Sequence, residues 1–528
     1  MRGWLIAPIA VAAALLFARA VVPYVWVPNS IPGQAELSKQ ERFALLNEAV
    51  PRADPVAGRE RVLRGFAMRE TDGLARNERS GGTRLCQTLL AGLLLNRETD
   101  RCNRILNELV VWGRAGSSWA GHPKGDYDFA LIWLTALLYE FGEDEQVLYP
   151  ETRNYLLNTL LTEEGRLNRM VPRSGGMVFE TENHLLMREG SRYLKNQWLK
   201  RQGPVAARFD NDRNGLGEWL ESYLNHLRLH GVYEFNSTPY AVYTLLPLMN
   251  LADYAESATI RRLAEAIIDN IARRYAYGSY RLRQCAPFRR QFKYADNESL
   301  LLNRMAPMIR SQLDGTTSGN DLLVFASTFH EYRLPLRTLE RFSGNNREEY
   351  FVRFAHEADG GEEIYSGGPG YLLSAGGVYR GESAKVIARP IALLLEDDAE
   401  KLDDCIHIRG IGDWKQWNMT GVHRRLAVAR GTLHLPAGIG GSIAPGWNAF
   451  RMNDEVSVAC YQQGNLAMLV VLPASELALD DALQRIKAVN PNPEKTGRFF
   501  WPRELAPTDV RDMAFDIDAP HQLEAGWH

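Results

Sequence analysis

The amino-acid sequence predicts an α+β, multidomain chain, with helices first and strands second. Two textures carry that expectation. From about residue 39 to residue 342, apolar residues recur at i, i+3 and i+4 in one segment after another, which is helix periodicity. From about residue 345 to residue 528 the chain breaks into short β-rich runs punctuated by Gly, Pro and Asn, which read as an antiparallel β-sandwich. The length of 528 residues agrees, because it exceeds what one hydrophobic core usually serves.

The chain opens with MRGWLIAPIAVAAALLFARA: a basic Arg2, an apolar run from Leu5 to Phe17, and the small-x-small triplet Ala18, Arg19, Ala20. That is the pattern of an export signal. The run falls short of the about 20 apolar residues that a full membrane span needs. Extended through Val22, residues 4–22 become an inner-membrane anchor instead, so residues 1–25 are a signal peptide or an anchor. Both place Arg2 inside and the body outside the cytoplasm, either periplasmic or secreted.

Helical spacing then runs through RLCQTLLAGLLLN (84–96), NRILNELVVWG (103–113), DFALIWLTALLYEFG (128–142) and TRNYLLNTLLTEEG (152–165). FETENHLLMREGSRYLKNQWL (179–199) has a polar start and then continues as an amphipathic helix. EWLESYLNHLRLHG (218–231), YAVYTLLPLMNLADYA (240–255) and ATIRRLAEAIIDNIARRYA (258–276) follow. Gly142, Gly165 and Gly231 suit helix C-termini. Paired helices with short links close into a solenoid or a ring, and no fixed-period repeat chooses between them. In the second part, EEIYSGGPGYLLSAGGVYRG (362–381), HRRLAVARGTLHLPAG (423–438), EVSVACYQQG (455–464) and LAMLVVLPAS (466–475) read as strands.

Composition narrows the function. Apolar and charged contents of 45% and 24% are those of a soluble globular chain, and a net charge of −3 leaves no basic footprint for nucleic acid. Twelve Trp and 21 Tyr supply flat amphipathic rings, which suit carbohydrate faces as well as large cores. Cys86, Cys102, Cys285, Cys405 and Cys460 form no CxxC, so thiol-based zinc and redox motifs have no support. Cys86 and Cys102 lie on neighbouring helical segments, as one disulfide or as two buried thiols. No P-loop, GxGxxG or GxSxG stands out, and no cofactor is expected.

Candidate chemistry gathers in two places. Glu180, Glu182, Asn183 and His184 open the helix of 179–199; Thr181 can cap it and Glu182 favours its dipole. Capping does not call for Asn183 and His184, which are poor helix formers. The second place is GVYEFNSTPYAVY (231–243), where Tyr233, Glu234, Asn236, Ser237 and Tyr240 share a loop before a helix. Tyr240 and Tyr243 lie three apart, on one helix face. His122, Asp126 and Asp128 precede another helix, where Asp126 can act as a cap. Arg289, Arg290 and Lys293 offer an anion clamp, and His423 and Arg424 open a strand. His226 and His230 have zinc-compatible i, i+4 spacing but no third ligand, so no metal is expected.

The TENH stretch on paired helices, EFNSTPYAVYTLLPLMNLADYA some 50 residues later, and a β-part carrying IYSGGPGYLLSAGG and GVHRRLA resemble exported heparinase II/III-like proteins. More loosely, they resemble alginate- and chondroitin-type lyases. The resemblance spans roughly residues 80 to 475 and implies an (α/α) toroid followed by a β-sandwich. It also implies β-elimination from an acidic, uronate-containing polysaccharide. Asn183, His184 and Tyr240 match the catalytic positions. Glu182, Glu234, Asn236, Tyr243, Arg289, Arg290 and His423 become substrate-binding candidates. The family's arginine is not matched at Glu234, which leaves Arg289 or Arg290 to supply the guanidinium. Two rivals remain: a glycoside hydrolase on the same scaffold, and a non-catalytic scaffold or glycan-binding subunit. A shared cleft requires the His184 and Tyr240 side chains to lie within about 10 Å of each other.

Overall fold

A computed structural model describes residue 11 and residues 35–54, 57–69, 82–111, 126–166, 181–285, 287–288, 299–316, 321–342, 348–355, 362–376, 391–410, 420–437, 439, 443–473, 477–507 and 514–516. The signal or anchor segment, Glu180, His122, Arg289, Arg290 and Lys293 lie outside these residues, Val11 of the segment excepted. Among the described residues no helix is long and apolar enough to cross a membrane.

The protein is a mixture of helices and antiparallel sheet, and the chain divides into two compact units. The first comprises Met1–Glu234, Tyr240–Asn270 and Pro307–Leu336; the second comprises Phe235–Pro239, Ile271–Ala306 and Arg337–His528.

The first unit is built on the helix Asp128–Phe141, in which every residue from Ala130 to Leu138 is buried. Each of its large aliphatic side chains contributes about 1.5–3 kcal/mol on leaving water. Around it pack Thr83–Leu94, Ala241–Tyr254, and the chain that starts at Glu182. That chain runs as α-helix Glu182–Leu185, π-helix Leu186–Gly190 and α-helix Ser191–Arg201. It is not the amphipathic helix its sequence suggests, because every residue from Glu182 to Trp198 is buried. Neighbours surround it, so its polar groups are neutralised inside the unit. Arg188 Nε donates to Glu189 at 2.9 Å, and Arg192 pairs with Glu189 and, at 2.8 Å, with Glu163. Lys195 donates to the carbonyls of Leu161 and Glu163.

Gly142 and Gly231 follow the ends of Asp128–Phe141 and Leu216–His230, and Gly231 has φ +78°. Gly165 does not end a helix, since the preceding π-helical turn stops at Leu160. It is needed for close approach: a Cβ there would sit 1.8 Å from the carbonyl oxygen of Arg208.

Among the described residues the second unit holds fourteen strands. They are β1 Ser279–Tyr280, β2 Arg283–Gln284, β3 Tyr350–Ala355, β4 Glu362–Gly368, β5 Tyr371–Gly376, β6 Ile391–Leu395, β7 Ile406–Gly410, β8 Thr420–His423, β9 Leu426–His434, β10 Gly446–Arg451, β11 Val456–Gln463, β12 Leu466–Pro473, β13 Arg498–Phe500 and β14 Ala514–Asp516. Ten of these form one antiparallel sheet in the order β10-β11-β12-β9-β7-β6-β5-β4-β3, with β8 also on β9. Leu373, Leu393 and Ile408 from one half of that sheet share an apolar cluster with Val422, Val458 and Leu469 from the other. Turn chemistry sets the registers. Pro369 and Gly370 (φ +75°) link β4 to β5, and Gly464 (φ +56°) with Asn465 links β11 to β12. His423 and Arg424 do not open a strand. His423 ends β8, and Arg424 (φ +53°) with Arg425 makes the tight turn into β9. A positive φ at arginine has no Gly or Asn to announce it in sequence.

Candidate functional site

Three segments distant in sequence meet around one imidazole in the first unit. Asp128 begins the helix Asp128–Phe141, and its Oδ2 lies 2.6 Å from His184 Nδ1. The two side chains are only 5% and 10% exposed. A carboxylate can only accept, so in the neutral imidazole the contact puts the proton on Nδ1 and leaves the Nε2 lone pair available.

The ring of Phe129 joins the aromatic side chains together. It meets His184 edge-to-face at 5.5 Å and Tyr243 edge-to-face at 4.5 Å, and lies 6.4 Å from Tyr240. The His184 and Tyr240 ring centroids are 6.5 Å apart, within the separation a shared cleft requires. Tyr240 stands at the N-cap of Ala241–Tyr254, next to Pro239.

The two polar stretches are tied together directly. Glu182 is 1% exposed, and its Oε1 accepts the backbone N–H of Glu234, itself 3% exposed, at 2.9 Å. Thr181 occupies the N-cap position but makes no side-chain capping bond. Its hydroxyl donates to Asn183 Oδ1 at 2.6 Å, and that oxygen also accepts the backbone N–H of His184 at 2.7 Å. Half of the Asn183 amide therefore does organise the helix start, contrary to the sequence expectation. The other half differs: Asn183 Nδ2 is buried, with no hydrogen-bond partner among the described residues. The π-helical turn Leu186–Gly190 follows at once, and such turns recur at functional sites.

The structure thus brings together Glu182, Asn183, His184, Glu234, Tyr240 and Tyr243. Asn236 and His423 belong to the second unit. Asn236, at φ +49°, donates through Nδ2 to the Pro287 carbonyl at 3.2 Å. The His226 and His230 rings lie tilted to each other with centroids 4.5 Å apart, and no metal-binding group of three is found among the described residues. All five cysteines are free and buried; burial raises the Cys86 thiol to about 12 and the Cys102 thiol to about 11. Sequence reasoning passed over Phe129 and held Asp128 only as one of the polar group His122, Asp126 and Asp128 before a helix. The available signal was that polar group and an Asp-Phe pair opening a strongly apolar helix.

His423 packs its ring 4.8 Å from Phe351, and burial, aided by the charge of Arg424, lowers it to about 3. On β7, His407 stacks 4.8 Å from His434 and is lowered to about 4, chiefly by burial. Both are neutral when folded, and both take up protons near pH 6.5 when unfolded. Their contribution to stability is therefore complete above pH 6.5 and is lost as pH falls towards 4 and 3. Each is expected to cost the second unit on the order of 3 kcal/mol over that interval. Urea titrations at stepped pH should show this slope, and His423→Leu should reduce it by about one proton. An unchanged slope would mean that the imidazole is protonated in the fold.

No family model, curated protein or solved structure matches the chain.

Proposed function

We propose that the protein is an exported polysaccharide lyase that cleaves a uronate-containing polymer by β-elimination. In this proposal the helices form an (α/α) toroid, the second unit is a β-sandwich, and the site lies at the starts of the toroid helices. The observation that carries the proposal is the His184 imidazole, held by buried Asp128 with the Tyr240 ring 6.5 Å away.

His184 Nε2 takes the proton from the carbon next to the uronate carboxylate. The electron pair left behind forms the new carbon–carbon double bond, and the glycosidic carbon–oxygen bond on the neighbouring carbon breaks. Tyr240 gives its phenolic proton to the leaving oxygen. Asn183 Nδ2, buried and without a hydrogen-bond partner among the described residues, is the donor assigned to the charge that develops on the carboxylate, and it reaches that group only once the amide is uncovered. Arg289 or Arg290 supplies the guanidinium in the same proposal. Export follows from the N-terminal sequence pattern.

Hydrolysis is less well supported. It needs two carboxylates facing a cleft. Of the carboxylates the sequence offers for it, Glu182 is buried and accepts the Glu234 N–H, and Glu234 is itself buried; Asp126 is half-buried and Glu180 lies outside the described residues.

The test is ultraviolet absorbance during incubation with a panel of polyuronates and glycosaminoglycans. Absorbance from an unsaturated product is expected to rise, and His184→Ala is expected to abolish the rise. New reducing ends without that rise would indicate a hydrolase. Intact polymer across the panel would indicate a glycan-binding or scaffold protein.

A further inference from the structure

The helix that begins beside Tyr240 ends in a different setting. Tyr243 and Asp253 are ten residues apart on Ala241–Tyr254, which places them about 15 Å apart along its axis. At the Asp253 end is a cleft of about 720 Å³, lined by Arg52, Arg261, Arg262, Arg333, Asp253 and Tyr332 among others. This volume suits a small molecule rather than a single ion.

Two of its four guanidiniums are neutralised. Arg52 pairs with Asp269 at 2.6 Å and with Glu265 at 3.2 Å, and Arg262 pairs with Glu265 at 2.8 Å. Arg261 and Arg333 are held in another way. Arg261 Nη1 donates to the carbonyls of Ala255 and Glu256, at 2.6 and 3.0 Å. Arg333 Nη1 donates to the carbonyls of His330 and Tyr332, at 2.6 and 2.7 Å. Among the described residues neither makes an ion pair, and Arg333 Nε is buried without a hydrogen-bond partner. Asp253 cannot serve both, since it already accepts from His330 Nδ1 at 2.8 Å and from the N–H groups of Glu331 and Tyr332 at 2.6 and 3.2 Å. Glu331, the remaining acid of the lining, is exposed to solvent.

A cation drawn out of water is normally paired, because its lost hydration must be offset. Here two half-buried cations are fixed in one cleft by carbonyl dipoles and make no direct ion pair among the described residues; Asp253 and Glu331 act on Arg333 only through space. We propose that this cleft binds a small molecule through an oxyanion group, a phosphate, sulfate or carboxylate, held by Arg261 and Arg333. Charge-assisted bonds from a fixed guanidinium suit all three groups. The site is separate from the His184 cluster and does not depend on the reaction assigned there.

Titration calorimetry of the full chain at constant ionic strength tests this with inorganic phosphate, inorganic sulfate and glucuronate. At least one should bind in the millimolar range or tighter. Arg261→Gln and Arg333→Gln should each weaken it roughly 10-fold or more. Arg261→Lys and Arg333→Lys, which keep the charge, should retain most of the binding and show that a loss is not misfolding. A preference for phosphate or sulfate assigns an ester group to the ligand, and a preference for glucuronate assigns a uronate. Absence of binding by all three, or equal binding by folded glutamine variants, would overturn the proposal.

Discussion

Asp128→Asn is expected to lower the turnover of a polyuronate by about 10²–10⁴-fold while leaving KM nearly unchanged. The carboxylate lies 2.6 Å from His184 Nδ1, so the substitution acts through the imidazole. An amide can turn either its oxygen or its nitrogen to Nδ1. It therefore no longer enforces the tautomer with a free Nε2, and it supplies no charge to balance the imidazolium that forms when the proton is taken. Asparagine is also well tolerated at a helix start, so the fold should survive. Tyr240→Phe makes the complementary test. It keeps the ring beside Phe129, 6.4 Å away, and removes only the hydroxyl. Its loss should likewise fall on turnover. Steady-state kinetics of both variants, on whichever polymer the wild type eliminates, decide the matter. Wild-type turnover in Asp128→Asn would remove Asp128 from the mechanism.

Arg192→Met should destabilise the first unit by about 3–5 kcal/mol. Arg192 and Glu189 are both fully buried, and Arg192 joins Glu189 to Glu163. Burial holds the Glu189 carboxyl above its ordinary range, against the pull of Arg192 and Arg188. Removing Arg192 leaves that acid in the interior with Arg188 as its remaining described ion-pair partner. The thermal midpoint of the unit should fall on the order of 10 °C. The double variant Glu189→Gln, Arg192→Met should recover part of the loss, because it removes both charges rather than stranding one. Calorimetry of the three proteins measures this. A single-variant loss below about 1 kcal/mol would show that water reaches the network.

The helix pattern was legible because it depends on neighbours in sequence. DFALIWLTALLYEFG announced Asp128–Phe141, and HRRLAVARGTLHLPAG and LAMLVVLPAS announced strands, though not the turn at Arg424. The polar start at Glu182–His184 was visible as an oddity for the same local reason: asparagine and histidine are costly at a place where common helix formers would serve.

What they contact was not legible. His184 finds its carboxylate 56 positions away, and Glu182 finds the Glu234 N–H 52 positions away. The burial of Glu182–Trp198 on every side was hidden as well, because its charged residues satisfy one another across turns and across segments. By itself the sequence determined which stretches coil, which extend and which residue types collect at helix starts, since spacing and propensity act over a few residues. Only the tertiary structure decided that Asp128, Phe129, His184 and Tyr240 share one site, because that depends on how helices distant in the chain pack against each other.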